Sequence, residues 1–357
     1  MNRSLRETLL RSGAMINGAS RLALHFGEPE AELRAALDGC ALVDRSDLTR
    51  LLAGGPDILD LLHRLSTGEV RDLGPGQGRP TVLTSPKGRI VERLFVHHLG
   101  ETGVLMVAGA SSADRVTKHL QGYTFAEQTG LRDWTETTCQ LALVGPGATE
   151  ALQAAGFAKP ERFQGSAVEF EGRTIQALGE DGLTGDGFSF VVPADLAGSL
   201  WQALSLAAGS CGGRPVGTLA AEAWRVLRGI PAAAHELTED YNPLEAGLRE
   251  AVSFDKGCYV GQEVVARLNT YEKVSRLLVG LVLPPDSDPP SPGTPLIFQD
   301  REVGRVTSAV VPPGWKHPVA LAYLKQKSAE PGIELAVGGT KGDLLARMVA
   351  LPFDEAS

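Results

Sequence analysis

Cysteine is sparse in this chain. Four residues, Cys40, Cys139, Cys211 and Cys258, are spread over 357 positions. No Cys-x-x-Cys pair or Cys/His cluster occurs, so the sequence offers no resident zinc or iron–sulfur site. Sparse cysteine also suits a reducing compartment. Long apolar runs are missing too, none approaching the ~20 residues of a membrane span. The N-terminal stretch, with Arg3, Arg6 and Arg11 among leucines, lacks the apolar core and cleavage site of a signal peptide. It reads as a short helix or frayed arm, and a cytoplasmic location without membrane association is expected. An excess of positive charge is absent as well: 34 Lys and Arg stand against 43 Asp and Glu, for a net charge of −9. That argues against charge-driven coating of nucleic acid or anionic membrane. No direct contact with DNA or RNA is expected.

A chain this long exceeds the size at which one core stops growing, so two or three domains are expected. Apolar residues at helical spacing predict helices over 30–38 and 56–65, with Pro56 and Asp57 as start signals for the second. Short strands are predicted at 41–44, 48–53, 90–98, 104–108, 141–144 and 188–192, with helices at 148–155, 195–208 and 218–228. The glycines of Gly74-Pro75-Gly76-Gln77-Gly78 superficially suggest a phosphate loop, but Pro80 and a strand-like run follow instead of a helix. Prolines crowd the stretch from Pro284 to Pro295 and exclude a helix there. Beyond them, short strands at 297–298, 303–310, 319–324, 333–337 and 344–351 predict a small β-barrel or sandwich. The fold class is therefore α+β, with a mixed region up to about 278 and an all-β module at 279–351.

The segment Asp255-Lys256-Gly257-Cys258-Tyr259-Val260-Gly261-Gln262-Glu263 is the most informative. Cysteine reacts as thiolate, and a free thiol with pKa near ~8.5 is only a few per cent ionised at neutral pH. A lysine two residues earlier and a helix start just downstream both favour the anion. Read from its neighbours alone, Cys258 is either such a reactive thiol or a buried, inert one in a glycine-bounded turn.

The run from Lys256 to Glu263 resembles the motif that marks the YgfZ family of folate-binding proteins, which is linked to iron–sulfur protein maintenance. That family is a branch of the fold group that includes the T-protein, the aminomethyltransferase of the glycine cleavage system. Further resemblance lies in Ala41-Leu42-Val43-Asp44, in Ser85-Pro86-Lys87-Gly88, in Arg225 to Pro231, and in Gly304-Arg305-Val306-Thr307-Ser308. It covers residues 40 to 350. The resemblance implies a ring of three domains, two of them α+β and interleaved within 18–278, with a C-terminal β-barrel at 279–351. It also implies tetrahydrofolate or a derivative as cofactor. The function it implies is support of iron–sulfur cluster assembly or repair in client enzymes, including those that modify tRNA. A folate-dependent aminomethyl or methyl transferase, and a scaffold with a vestigial folate pocket, are the alternatives.

Site residues follow the same route. Cys258 is the candidate reactive group, and Glu92, Asp186, Arg225 and Lys256 are candidate folate contacts. In strand 90–98, Ile90, Glu92, Leu94 and Val96 share one face. A carboxylate among aliphatics must pair internally or meet a ligand, and sequence alone favours a sheet edge open to water. The T-protein carries consecutive aspartates here where this chain has Glu92-Arg93, which speaks against T-protein chemistry. Asp186, in Asp186-Gly187, reads as a turn residue, yet it matches a family glutamate at the pterin edge. Arg225 reads as a solvated helical arginine, and it matches a family folate contact. There Leu227 replaces the family's glutamate, so Arg225 must find another partner. Lys256 is either a surface charge or a cation for the folate glutamate tail. The neighbours His97 and His98 point to opposite strand faces and make a poor chelating pair.

Overall fold

The computed structural model describes residues 3–18, 21–182, 185–270, 274–338 and 344–353. The chain divides into two compact units that alternate along the sequence. The first comprises Met1–Leu83, Glu92–Ala221 and Ala251–Val260; the second comprises Thr84–Val91, Glu222–Glu250 and Gly261–Ser357. No helix among the described residues is long and apolar enough to cross a membrane.

The first unit opens with α1 (Arg3–Arg11) and α2 (Pro29–Asp38), followed by β1 (Ala41–Asp44). The chain then leaves that strand to build a second sheet. Its pieces are β2 (Leu48–Gly54), α3 (Ile58–Leu65), β3 (Gly78–Thr84), β4 (Ile90–His98), β5 (Val104–Ala110), α4 (Ala113–Gln121) and β6 (Gly130–Asp133). It returns through β7 (Thr138–Val144), α5 (Ala148–Ala154), β8 (Gly165–Phe170), β9 (Arg173–Gly182), β10 (Gly185–Pro193), α6 (Ala197–Ser210) and β11 (Arg214–Val216). The result is a six-stranded sheet in the order β11-β1-β7-β10-β9-β8 and a five-stranded sheet in the order β3-β4-β5-β2-β6. The two sheets interleave in sequence. They share an apolar layer in which Leu105 and Val107 of β5 meet Leu178 of β9 and Val191 of β10. At the crossover the guanidinium of Arg50 is fully buried and donates to the carbonyls of Leu48, Thr135 and Thr138.

The main core of this unit gathers Leu141 and Leu143 of β7, Phe188 and Phe190 of β10, Leu152 of α5, and Trp201 and Leu204 of α6. Leu5 and Leu9 of α1 belong to it too. Each such aliphatic side chain contributes about 2 kcal/mol by leaving water. Helix α1 can approach because α6 carries Gly198 where the two helices touch. A β-carbon there would lie 2.8 Å from both Ser4 Oγ and Thr8 Oγ1.

The second unit contains residues from α7 (Thr218–Leu227), then α8 (Gln262–Thr270) and six strands: β12 (Arg276–Val282), β13 (Pro295–Phe298), β14 (Arg301–Val310), β15 (Val319–Lys325), β16 (Glu334–Val337) and β17 (Leu344–Val349). They close into a barrel in the order β12-β15-β14-β13-β16-β17. Closure removes the exposed strand edges that an open all-β module would leave. Leu281, Leu296, Val306, Leu324 and Leu335 fill the interior. The barrel begins at Arg276, ahead of the proline-rich loop, so its first strand precedes the composition change seen in the sequence.

Candidate functional site

The segment carrying Cys258 is held by its lysine. Helix α3 stops at Ser66, whose backbone turns extended, and a helix end leaves its last carbonyls without intrahelical donors. Lys256 Nζ donates to three carbonyls there: His63 at 2.7 Å, Ser66 at 2.8 Å and Gly68 at 2.6 Å. An ammonium has three N–H donors, and all are taken. The positive charge also suits the negative end of the helix dipole. Burial pulls the Lys256 ammonium down to about 8, while the Tyr259 ring lies 5.1 Å away as a cation–π partner. Lys256 is thus a carbonyl clamp with no N–H left for a folate tail.

Backbone bonds complete the attachment. Val260 N–H donates to Arg64 O at 2.9 Å, Ser253 N–H to Thr67 O at 2.9 Å, and Thr67 Oγ1 to Ala251 O at 2.6 Å. Cys258 is a free thiol on this anchored segment and is exposed. The thiol is therefore not buried. Two glycines of the recognised motifs also meet. Gly261 (φ +83°) and Gly88 (φ +65°) both adopt the left-handed region, and a β-carbon on Gly261 would lie 2.8 Å from Gly88 Cα and 2.5 Å from Ser85 O. Only glycine permits both the backbone conformation and that approach.

Glu92 corrects the expectation of a solvent-open edge. Its strand β4 lies between β3 and β5, and the side chain is buried. Oε2 accepts from the Ser112 hydroxyl and from Arg115 Nη1 at 3.3 Å, and Oε1 accepts from the Arg93 N–H at 3.1 Å. The carboxylate pairs internally. Asp186 stands opposite Asp181 in the β9–β10 ladder, but its side chain lies outside the described residues.

Arg225 is not a solvated helical arginine. Nε and Nη2 grip both oxygens of Glu222, at 2.8 and 2.6 Å. Nη1 donates to Ile230 O at 2.6 Å and Glu236 Oε2 at 3.0 Å, and Nη2 to Ser308 Oγ at 2.7 Å. All five N–H groups of the guanidinium are accounted for, so a folate contact would have to displace one of these partners. The partner demanded by Leu227 is found in Glu222 and Glu236. Sequence reasoning gave Glu236 no role, although it is fully buried. Its Oε1 accepts from Thr307 Oγ1 at 2.6 Å and from Ser308 Oγ at 2.7 Å. Consecutive strand residues normally face opposite ways. The register of β14 against β15 shifts between Val306 and Ser308, and such a bulge re-aims side chains so that both hydroxyls can serve one carboxylate. Tyr323 Oη donates to the Glu236 carbonyl at 3.0 Å. The available signal was the placing of Thr307-Ser308 within one of the family-like stretches.

With this geometry in view, comparison with known proteins decides the family. The GCVT N-terminal domain matches residues 21–256, and the glycine cleavage T-protein C-terminal barrel domain matches residues 276–354. The chain belongs to the glycine cleavage T-protein family. An aminomethyltransferase of Desulforamulus reducens is 32% identical over 339 residues, covering 90% of this chain and 89% of that protein. A chloroplastic protein of Arabidopsis thaliana, provisionally named a transferase, is 30% identical over 317 residues, covering 88% of this chain and 72% of that one. The crystal structure of the glycine cleavage system aminomethyltransferase T from Bartonella henselae superposes with a TM-score of 0.83 at 24% identity, covering 99% and 97% of the two chains. That likeness confirms the T-protein fold: mixed α+β sheets with a closed C-terminal barrel.

Proposed function

We propose that this T-protein family member is a tetrahydrofolate-binding protein of the YgfZ type. It supports the assembly or repair of iron–sulfur clusters in client enzymes, tRNA-modifying ones among them, in the cytoplasm. The observation that carries the reading is the Lys256-to-Glu263 segment. Its lysine anchors the backbone by three carbonyl bonds while its cysteine stands exposed. Cys258 is the reactive group. Folate is the cofactor implied by the family likeness, and its fit to the candidate residues is partial. Glu92, Arg225 and Lys256 are already engaged by protein partners, so the pterin edge is assigned to Asp186, whose carboxylate can accept two parallel N–H donors. Folate and iron–sulfur client proteins are the partners, with no DNA or RNA contact.

Calorimetry with tetrahydrofolate tests the binding: a Kd below about 1 mM is expected, and weaker binding leaves an interaction scaffold instead. Complementation tests the thiol. Cys258→Ala should fail to restore function in a strain lacking the protein, and full restoration would remove the thiol from the reading.

A second reading, a folate-dependent aminomethyltransferase, is favoured by relatives of that name at 30–32% identity along most of the chain. Against it stand Glu92-Arg93 where the T-protein has consecutive aspartates, and the burial of Glu92 among Ser112 and Arg115. Product formation from glycine-cleavage intermediates would restore it.

A further inference from the structure

The glycine turn Gly74 to Gly78, which superficially suggests a phosphate loop, closes over a buried histidine. His97 of β4 is 1% exposed, and neither of its ring nitrogens has a hydrogen-bond partner. A β-carbon built on Gly78 would lie 2.5 Å from His97 Nδ1 and 2.4 Å from Phe163 O, so bare glycine backbone is pressed against the imidazole on this side. Gly165 flanks the same nitrogen, which lies 3.9 Å from where its β-carbon would stand. Leu105 stands opposite His97 on β5, and Leu178 of β9 borders Gly165. The ring thus sits beneath a seam between two segments, the 74–78 turn and the 161–165 arch.

Backbone bonds hold that seam. Gly165 N–H donates to Gly76 O at 2.8 Å, which ties the start of β8 to the turn ahead of β3. Gly76 N–H donates to His98 O at 2.8 Å and His98 N–H to Gln77 O at 2.9 Å, so the turn is fastened to the strand that carries the imidazole. On the arch, Phe163 adopts φ +61°, in the left-handed region where a bulky residue is an outlier. Its ring packs on Phe95 of β4, with centroids 6.4 Å apart. Backbone strained in this way relaxes when the contacts that impose it part.

We propose that this seam is an acid-released latch: a proton taken up from solvent by His97 parts the 74–78 turn from the 161–165 arch while the rest of the fold stays closed. A buried imidazolium carries two N–H donors and a charge with no acceptor to meet them, whereas the parted seam lets water satisfy both. The titratable groups on the packed segments are Arg79 at the start of β3, His98 on the opposite strand face, and Glu161 and Arg162 on the arch. None of them offsets the buried charge: burial alone pulls the imidazole down to about 4, against ~6.5 when open to water. The open seam therefore binds more protons. Closure is most stable above about pH 6.5 and weakens as the pH falls toward about 4.

Neither folate nor Cys258 enters the latch, so it is tested on the native chain alone. Amide hydrogen exchange is followed by NMR between about pH 6.5 and about pH 4.5, with rates corrected for the intrinsic pH dependence of exchange. Opening at Gly76, His98 and Gly165 should rise about 40-fold across that range, the factor set by the closed and open imidazole pKa values. The barrel amides of Leu283 and Val306, bonded to Pro318 O and Thr294 O, should stay level and serve as references. His97→Leu should abolish the pH dependence at the three seam amides. Because that change alters a buried site, the His97 ring is also titrated in the native protein, where its midpoint should lie well below that of a free imidazole. Three results would each overturn the proposal: seam amides that follow the barrel references, a pH dependence that survives His97→Leu, or a His97 midpoint at ~6.5.

Discussion

Arg225 and Glu236 form a buried ion pair, with Nη1 3.0 Å from Oε2. It joins α7 to the loop after it, and Ser308 of β14 bonds to both residues. Removing one partner of such a pair costs about 3–5 kcal/mol, because the other charge stays buried without compensation. Glu236→Ala should therefore lower the urea midpoint sharply. The double variant Arg225→Met with Glu236→Leu should lose clearly less than the two single changes added together. Strict additivity in that cycle would show that the two side chains act independently.

Lys256→Met should loosen the cysteine segment. Methionine fills the volume but leaves the carbonyls of His63, Ser66 and Gly68 without that donor, at a cost of about 3 kcal/mol. The sensitive readout is amide hydrogen exchange at Ser253 and Val260, whose N–H groups bond to Thr67 and Arg64. Both should exchange faster while amides in the barrel stay protected. Unchanged exchange at these two amides would show that the clamp is not what holds the segment.

Two buried groups oppose each other in acid. Neither ring nitrogen of His97 has a hydrogen-bond partner, and burial pulls the imidazole down to about 4. In the unfolded chain it titrates near ~6.5. Between these values the unfolded state holds more protons, so stability rises with pH. Asp44 behaves oppositely. Burial pushes its carboxyl up to about 6, against ~3.9 unfolded, so the folded state holds more protons and stability falls as pH rises through that window. Each contributes about 3 kcal/mol, and in the native protein the two nearly cancel. Urea titrations between pH 4 and 6.5 should show stability falling with pH in His97→Leu and rising with pH in Asp44→Asn. Variant curves that keep the native slope would contradict this.

Gly261→Ala should destabilise by about 3 kcal/mol, combining a left-handed backbone with overpacking against Gly88 and Ser85. Thermal unfolding measures it. Gly172→Ala is the control: its φ is also positive, at +72°, but a β-carbon there meets nothing within 4 Å. The control should lose far less, and equal losses would mean that the close approach is immaterial.

Local signals carried much of the fold into the sequence. The alternation in 90–98 delimits β4, and the spacing of Leu33, Ala36 and Leu37 marks α2. Helix α4 was not legible, because only Val116 and Leu120 of its nine residues are buried. Two apolar positions four apart are too few to set a period. The reading of Glu92 as edge-exposed failed for a different reason: which strands flank β4 depends on pairing between distant segments. The roles of Lys256 and Arg225 were hidden in the same way. Lys256 reaches carbonyls 188 to 193 residues away, and Arg225 reaches a hydroxyl 83 residues away. The motif left Cys258 open between a reactive and a buried thiol, and its place in the fold is what exposes it.

Helix α1 is a wall of the core, because Leu5 and Leu9 complete the apolar cluster around Trp201. A shortened chain starting beyond Gly13 would lay open a greasy trough along α6 and invite self-association. An affinity tag is therefore best appended ahead of the first residue, with those opening turns kept whole.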